Sequence, residues 1–519
     1  MLGIFTTTSV RLPWIYAFGV AGFLWLSLKV YRLFRPIPSL PPGPRRLPLI
    51  GNLLDVPIRD RHIAYFKWSE QYGPVISLSV LDKVIITINT RKAWQDILEK
   101  RAGVTAQRPH FIMGHEIAGL DKFPGITNDM ELHRQYRRLF AQAFSSRAVQ
   151  TYYWGIQTQE MRRACLEMLD GTQKNPITAV KRALASIISR IVYSKKIETF
   201  DDPYIVRVTN QLRNFERLSR PGRYLVELLP FLRHLPVWFP GAGFKREGLR
   251  IKEDVLDLVE EPFNAVKREM IMGTASPSFV SKLLEDENGK RADDPREEEL
   301  VKWAAGQLYQ AGMDTTKGII ISFLIAMLKN PHVQARAQEE LDRVVGRDRL
   351  PTLSGREDLP YCQALVQECM RWNPVAPTGV PHRMMQDEIY ENYLLPKGAL
   401  VFGNIWALTR DPLMYPNPET FMPERHLAAD GKTSLGAERG REVFGAGRRV
   451  CPGIHLAEAS IFILVATLLW SADLRLPKDR LETELKVATS TIMQPDEIPC
   501  EVVPRSGNVV ELLRSARQE

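Results

Sequence analysis

The chain has 519 residues, 45% of them hydrophobic and 25% charged, with a formal net charge of +9. That is ordinary globular composition, long enough for a large core around one buried cofactor or for two or three domains. Five scattered cysteines (Cys165, Cys362, Cys369, Cys451 and Cys500), with no CxxC pair or Cys/His cluster, argue against a disulfide framework or structural zinc and suit a reducing compartment.

The first predicted element is a membrane one. No charged residue occurs from Leu12 to Leu28, and such a helix would span about 25 Å, near the lower limit for a bilayer core. Arg11 precedes it, and Lys29, Arg32 and Arg35 follow, so the positive-inside rule places the rest of the chain in the cytosol. A cleaved secretory signal is the rival reading, but no small-residue cleavage site precedes the basic cluster. Residues 1–30 are therefore read as a single-pass anchor. Six cations (Arg11, Lys29, Arg32, Arg35, Arg45 and Arg46) precede the first acid, Asp55, so most of the net charge sits where it can meet anionic lipid. No basic stripe interleaved with aromatics points to nucleic acid.

Residues 31–46 form a basic, proline-rich hinge, "RPIPSLPPGPRR", stiff and extended because proline fixes its backbone angle and lacks a donor. The body is then residues 47–519. "VISLSVLDKVIITIN" predicts strands, residues 90 to 375 read mostly as helices, and after Pro377 the chain turns irregular with strand-like pieces around "LVFGN". The expected class is mainly α with a small β region. "RYLVELLPFLRHLPVWFPG", from Arg223 to Gly241, is either a buried loop or a shallow membrane contact through Trp238 and Phe239.

One long helix is predicted from Pro295 to Leu328, about 45 Å and enough to cross a domain. Its middle, "AAGQLYQAGMDTT", holds poor helix formers where propensity should be strongest. Thr315 is placed to bond back to the Ala311 carbonyl and open a groove, whereas the plainer reading is close packing of Gly306 and Gly312 against neighbours.

"FGAGRRVCPG", residues 444 to 453, resembles a phosphate loop at first sight. Val450 stands where a dinucleotide fingerprint needs its third glycine, and no Lys-Ser/Thr follows. Gly445 and Gly447 instead allow a tight bulge leading to Cys451, with Pro452 expected in the first turn of an apolar helix. Cys451 would then lie at a helix N-terminus, where the dipole favours an anionic sulfur.

These residues resemble the haem-binding loop of the cytochrome P-450 family, Phe-x-x-Gly-x-Arg-x-Cys-x-Gly, at Phe444, Gly447, Arg449, Cys451 and Gly453. The family's other motifs follow in order: "PPGP" after the anchor, "AGMDTT" in the long helix, "ECMR" at Glu368 and Arg371, and "FMPERHL" with Arg425. The chain is most similar to fungal microsomal members of the O-methylsterigmatocystin oxidoreductase type. The resemblance implies a triangular, helix-rich haem domain and a haem b with the Cys451 thiolate as axial ligand. It further implies that Phe444 shields the sulfur and that Arg449 meets a propionate. Glu368, Arg371 and Arg425 form a charged network that fixes the loop carrying Cys451. Asp314 and Thr315 become the acid–alcohol pair that delivers protons. His133 stands where the family usually has Trp, with Arg137 following, and both are carried over to the propionates. His382 in "VPHR" is a further propionate candidate, with Arg383 its alternative. "PERH" departs from the commoner Pro-Glu-Arg-Phe.

The implied function is a monooxygenase of the endoplasmic reticulum membrane, with its catalytic domain in the cytosol. It oxidises a lipophilic small molecule, by hydroxylation, epoxidation or related chemistry, in fungal secondary-metabolite biosynthesis. O2 and electrons from NADPH are consumed. The sequence holds no flavin or dinucleotide fingerprint, so electrons come from NADPH–cytochrome P-450 reductase, with cytochrome b5 a second candidate donor, docking near Arg448. The substrate pocket draws on residues 105–128, Phe215, the Ala304 to Ala311 face, Val375 to Val380 and the loop near Ile492. The rivals are a haem-thiolate isomerase or dehydratase that uses no O2, and a haem-containing binding protein without turnover.

Overall fold

The alternating segment "VISLSVLDKVIITIN" folds as expected in the computed structural model, into an antiparallel hairpin of β1 (Val75–Val80) and β2 (Lys83–Ile88). Two later strands complete the sheet, β3 (His382–Arg383) and β6 (Leu400–Gly403), in the order β1-β2-β6-β3, with β6 parallel to β2. Small hairpins of β4 (Glu388–Tyr390) with β5 (Tyr393–Leu395), and of β7 (Ala472–Arg475) with β8 (Glu501–Pro504), account for the rest of the named strands. The structure describes residues 39–518 except 221, 286–293, 432–439, 481–494 and 496. The anchor predicted at Leu12 to Leu28, the first half of the hinge and the loop at Ile492 lie outside the described residues.

The described end of the hinge is stitched to the sheet rather than spaced from it. The Ser77 amide donates to the Pro42 carbonyl at 2.9 Å, and a methyl group on Gly43 would sit 2.1 Å from the Ser77 oxygen. Only glycine permits that approach.

Helices dominate from α1 (Arg61–Tyr72) onward: α2 (Met130–Ala143), α3 (Trp154–Leu169), α4 (Pro176–Tyr193), α5 (Pro203–Ser219), α6 (Gly243–Ile271), α7 (Pro295–Lys329), α8 (Pro331–Val344), α9 (Pro360–Trp372) and α10 (Ile454–Ser471). Several starts are written in the sequence. Asn175, Asp202 and Asp294 cap α4, α5 and α7 with side-chain oxygens, and each is followed by a proline whose missing N–H costs nothing there.

The core is a bundle of α3, α4, α7 and α10. α10 is apolar all round, which is stable only with protein on every side, and Phe462, Ile463, Leu464 and Val465 are fully buried. α7 and α10 are long and apolar enough to cross a membrane, yet 83% of the 18-residue apolar stretch of each is buried within the body. They are core helices.

α7 runs unbroken through Gly306 and Gly312, and close packing explains both. A methyl on Gly306 would lie 2.4 Å from Val259 Cγ1, and one on Gly312 would lie 2.5 Å from Ile188 Cδ1. Gly312→Ala is therefore expected to destabilise the protein by about 1–3 kcal/mol, read as a lowered Tm. An unchanged Tm would show that Ile188 can swing aside.

Candidate functional site

The loop before α10 is shaped by two glycines with positive φ, Gly445 at 84° and Gly447 at 56°. A methyl on Gly447 would also strike the Leu98 carbonyl oxygen at 2.4 Å. The chain bends back so that the Cys451 amide donates to the Phe444 carbonyl at 2.8 Å. Arg91 pairs with Glu442 at 3.0 Å and holds the base of the loop. Phe444 is half-buried.

One expectation needs correcting. α10 begins at Ile454 with Gly453 as its N-cap, so Pro452 lies in a preceding turn and Cys451 is short of the helix. The Gly453 N–H and the Arg137 charge lower the thiol's pKa, but burial outweighs them and pushes it up. The helix terminus alone therefore does not make a thiolate; a bound metal cation would. Cys451 is nonetheless the only one of the five cysteines that is not buried.

Beside this loop lies a cluster of positive charge. Arg449 donates to the carbonyls of Ala106 (2.7 Å), Pro124 (3.0 Å) and Thr127 (2.6 Å), and Arg137, on α2, donates to the Val450 carbonyl at 2.7 Å. Arg108 joins them, donating to the carbonyls of Gly125, Val380 and Pro381. Sequence reasoning missed Arg108, although it is the only charged residue in "GVTAQRPHFIMG". Burial and the neighbouring Arg449 push the Arg108 guanidinium down to about 9. Among the described residues none of these three arginines has a carboxylate partner.

The two histidines respond to the same field. Burial, then Arg449, Arg137, Arg108 and Arg448, hold His133 down at about 3, and burial with Arg108 holds His382 at about 3. His382 Nδ1 faces the Thr105 carbonyl at 2.8 Å and donates to it, which leaves Nε2 without a proton in the neutral ring. It would donate there only when a nearby carboxylate favours the imidazolium. Arg383 is tied to Gln107 at 2.6 Å.

On α7, Thr315 Oγ1 donates to the Ala311 carbonyl at 2.8 Å, as its spacing predicted. Ala311 and Thr315 are exposed although the surrounding turns are core, so they face open space inside the protein. Asp314 is buried. Ala304, expected on the pocket wall, is fully buried in helix packing, because the face turned to the space runs through Ala311 and Thr315. Phe215 packs edge-on to Phe111, with ring centres 6.5 Å apart. A separate surface cleft of about 560 Å³, lined by charged groups such as Glu116, Lys122, Asp129 and Lys252, contains none of these residues.

The Glu368 carboxylate is fully buried and saturated. Arg371 binds it through two nitrogens at 2.7 Å, Arg425 Nε at 3.1 Å, the Met422 amide at 2.8 Å and His426 Nε2 at 2.9 Å. His426 is the residue that departs from the usual phenylalanine, and it replaces an aromatic contact with a fourth polar partner. Arg371 and Arg425 also donate to the carbonyls of Thr409, Pro416, Pro418 and Thr420. What the network grips directly is the segment 409–426, upstream of the cysteine loop.

The cluster around Cys451 fits a haem. Buried, unmatched cations require an anion, which two propionates would supply, and the partly enclosed cysteine suits a metal. A family model described as cytochrome P450 matches residues 41–499. Cytochrome P450 monooxygenase 208 of Postia placenta is 36% identical over 92% of this chain and 93% of its own length. Cytochrome P450 monooxygenase claR of Ampulloclitocybe clavipes is 34% identical over 92% of this chain and 88% of its own. Cytochrome P450 monooxygenase 105 of Postia placenta is 35% identical over 96% and 95%.

Glu368→Ala strands two buried guanidinium groups, an expected loss of about 3–5 kcal/mol, and should leave little folded protein in a urea titration. His426→Phe removes one partner of a saturated carboxylate and should cost about 1–3 kcal/mol. The depressed pKa values of His133 and His382 mean that the folded chain keeps them neutral while the unfolded chain protonates them below about 6.5. Stability from this source is present above that pH and is lost as pH falls toward 3. In the haem-free protein His382→Gln should flatten that part of the stability–pH curve; an unchanged slope would contradict the assignment.

Proposed function

This chain belongs to the cytochrome P450 family, and we propose that it is a membrane-anchored member acting on a lipophilic small molecule in fungal secondary metabolism. The family makes it an oxidoreductase, a haem-thiolate monooxygenase with a haem b on an axial cysteine thiolate. When bound, the haem activates O2, and thiolate ligation favours cleavage of the O–O bond.

The chain's own residues take the remaining roles. Cys451 is the axial ligand, on a loop that Gly447 and Gly453 allow to turn and that Phe444 shields. Arg108, Arg137 and Arg449 balance the propionates, with His133 and His382 adding hydrogen bonds. Glu368, Arg371 and Arg425 keep the approach to the loop rigid. Thr315 holds a proton at Oγ1 facing the space above Cys451's loop, and Asp314 resupplies it from a site kept dry by the core.

The observation that carries this reading is exposed Thr315 next to buried Asp314, in a turn of α7 where Met313, Thr316 and Lys317 are buried too. An isomerase or a binding protein has no use for a proton relay, so neither alternative is favoured. Electrons come from NADPH–cytochrome P-450 reductase, with cytochrome b5 as an additional donor. The exposed Arg134, Arg138 and Arg448 beside the cysteine loop support an acidic partner.

The membrane reading gains support from the stretch between Arg223 and Gly241, which is not a buried loop. Leu225, Phe231 and Trp238 are exposed, Trp238 by 79%. Lys83 reaches the Glu227 carbonyl at 3.2 Å, and Leu81, Leu54 and Ile58 add exposed apolar surface beside the same β-turn. This side would carry Trp238 into the interface, and together with the anchor expected from the sequence it supports an endoplasmic reticulum membrane protein with its body in the cytosol.

Cys451→Ala should abolish the reduced-CO absorption near 450 nm that a thiolate-ligated haem gives; its retention would overturn the reading. Thr315→Ala should keep that absorption while diverting NADPH electrons to peroxide, measured with a lipophilic substrate found by its shift of the Soret band. Fully coupled product formation would count against the relay. A dye attached at position 238 of the reconstituted enzyme should be quenched by brominated acyl chains; quenching by aqueous iodide alone would remove the membrane contact.

A further inference from the structure

Between Ala304 and Leu328, α7 holds only two charged residues, Asp314 and Lys317. They lie three apart, on one stripe of the helix, and Lys317 Nζ sits 2.6 Å from Asp314 Oδ1. Lys317 is buried as well, with its side chain 6% exposed. Oδ1 accepts no aligned hydrogen bond, so charge rather than a directed bond holds the carboxylate.

Stability does not explain such a pair. Taking two ions out of water costs several kcal/mol each, and apolar side chains of similar volume do as well or better in a core. Nor does packing require it, since the neighbouring positions are Met313, Gly318 and Ile319, in a helix otherwise filled by small and apolar groups. The pair sits beside Thr315, whose hydroxyl faces the open space. A carboxylate alone in this setting would take up a proton and become neutral, because burial disfavours its charged form. An acid whose charged form is disfavoured is a weaker acid and passes its proton on less readily.

We propose that Lys317 is a positioning residue for the reaction: its buried ammonium keeps Asp314 ionised and seated beside Thr315. This inference rests on the acid–alcohol reading above. Lys317 keeps its own proton throughout. Thr315 gives its hydroxyl proton to the reacting oxygen, solvent protonates the ionised Asp314, and Asp314 passes that proton to Thr315, so the pair ends each cycle as it began.

The test uses the haem-loaded full chain and four variants: Lys317→Met, Lys317→Gln, Lys317→Arg and Thr315→Ala, each checked for a full reduced-CO spectrum. The infrared band of the Asp314 carboxylate, isolated by difference against Asp314→Asn, requires no substrate. It should be present in the native chain and in Lys317→Arg, and replaced by a protonated-acid band in Lys317→Met and Lys317→Gln. With reductase, NADPH and ethoxycoumarin as a lipophilic probe, product per NADPH should fall by about threefold or more in the same two variants, a part of the roughly 10²-fold or larger effect of proton transfer itself, with Lys317→Arg rescuing it. An unchanged carboxylate band in Lys317→Met overturns the proposal. If Thr315→Ala uncouples turnover and Lys317→Met does not, Lys317 is structural and the acid–alcohol reading stands. If Thr315→Ala remains coupled, that reading fails and the role of Lys317 with it.

Discussion

The rest of the site depends on a buried concentration of positive charge that the protein does not neutralise. Arg108, Arg137 and Arg449 converge beside the cysteine loop, and burial together with their field drives two histidines to the neutral form. Hydrogen bonds to backbone carbonyls satisfy the guanidinium donors but not the charge. A chain built this way is electrostatically incomplete until an anion arrives, and the two propionates of a haem would supply that charge. Cofactor loading is thus part of folding energetics and not an event added to a finished protein.

Opposite charges are handled differently elsewhere. Around Glu368 every oxygen lone pair is spent and the network is closed. Between α3 and α4 a second buried set matches the charge of Arg182 with Glu160 at 2.9 Å and Glu167 at 3.1 Å. The contrast separates frame from site. Saturated networks brace the scaffold, whereas the unbalanced cluster and the loosely held Asp314 mark where chemistry and ligands enter.

The general architecture was legible because its signals are local. Helix starts announce themselves in Asn-Pro and Asp-Pro pairs, the hairpin in a run of β-branched residues, and the cysteine loop in its glycine spacing. The helix glycines were read correctly as packing devices, since the small residues interrupt an otherwise continuous apolar run. What the sequence hid depends on long-range contact. Arg108 looks like any loop arginine until the chain brings it to residues that lie more than 270 positions away. His426 read as a mere departure from a motif, although it reaches Glu368 from 58 residues on. The start of α10 was misplaced because Pro452 and Gly453 form a turn ahead of the helix, and proline suits a turn as well as a first helical turn.

Arg449 has a consequence of another kind. One guanidinium fastens residues 106, 124 and 127, within the stretch proposed for the substrate pocket, to the loop that carries Cys451. Anything that orders this segment also orders the arginine that faces the cofactor. By thermodynamic reciprocity, a substrate that binds more tightly to the loaded enzyme must strengthen the protein's hold on its prosthetic group by the same factor. Retention of the haem and recognition of the molecule to be oxidised are therefore two readings of a single equilibrium.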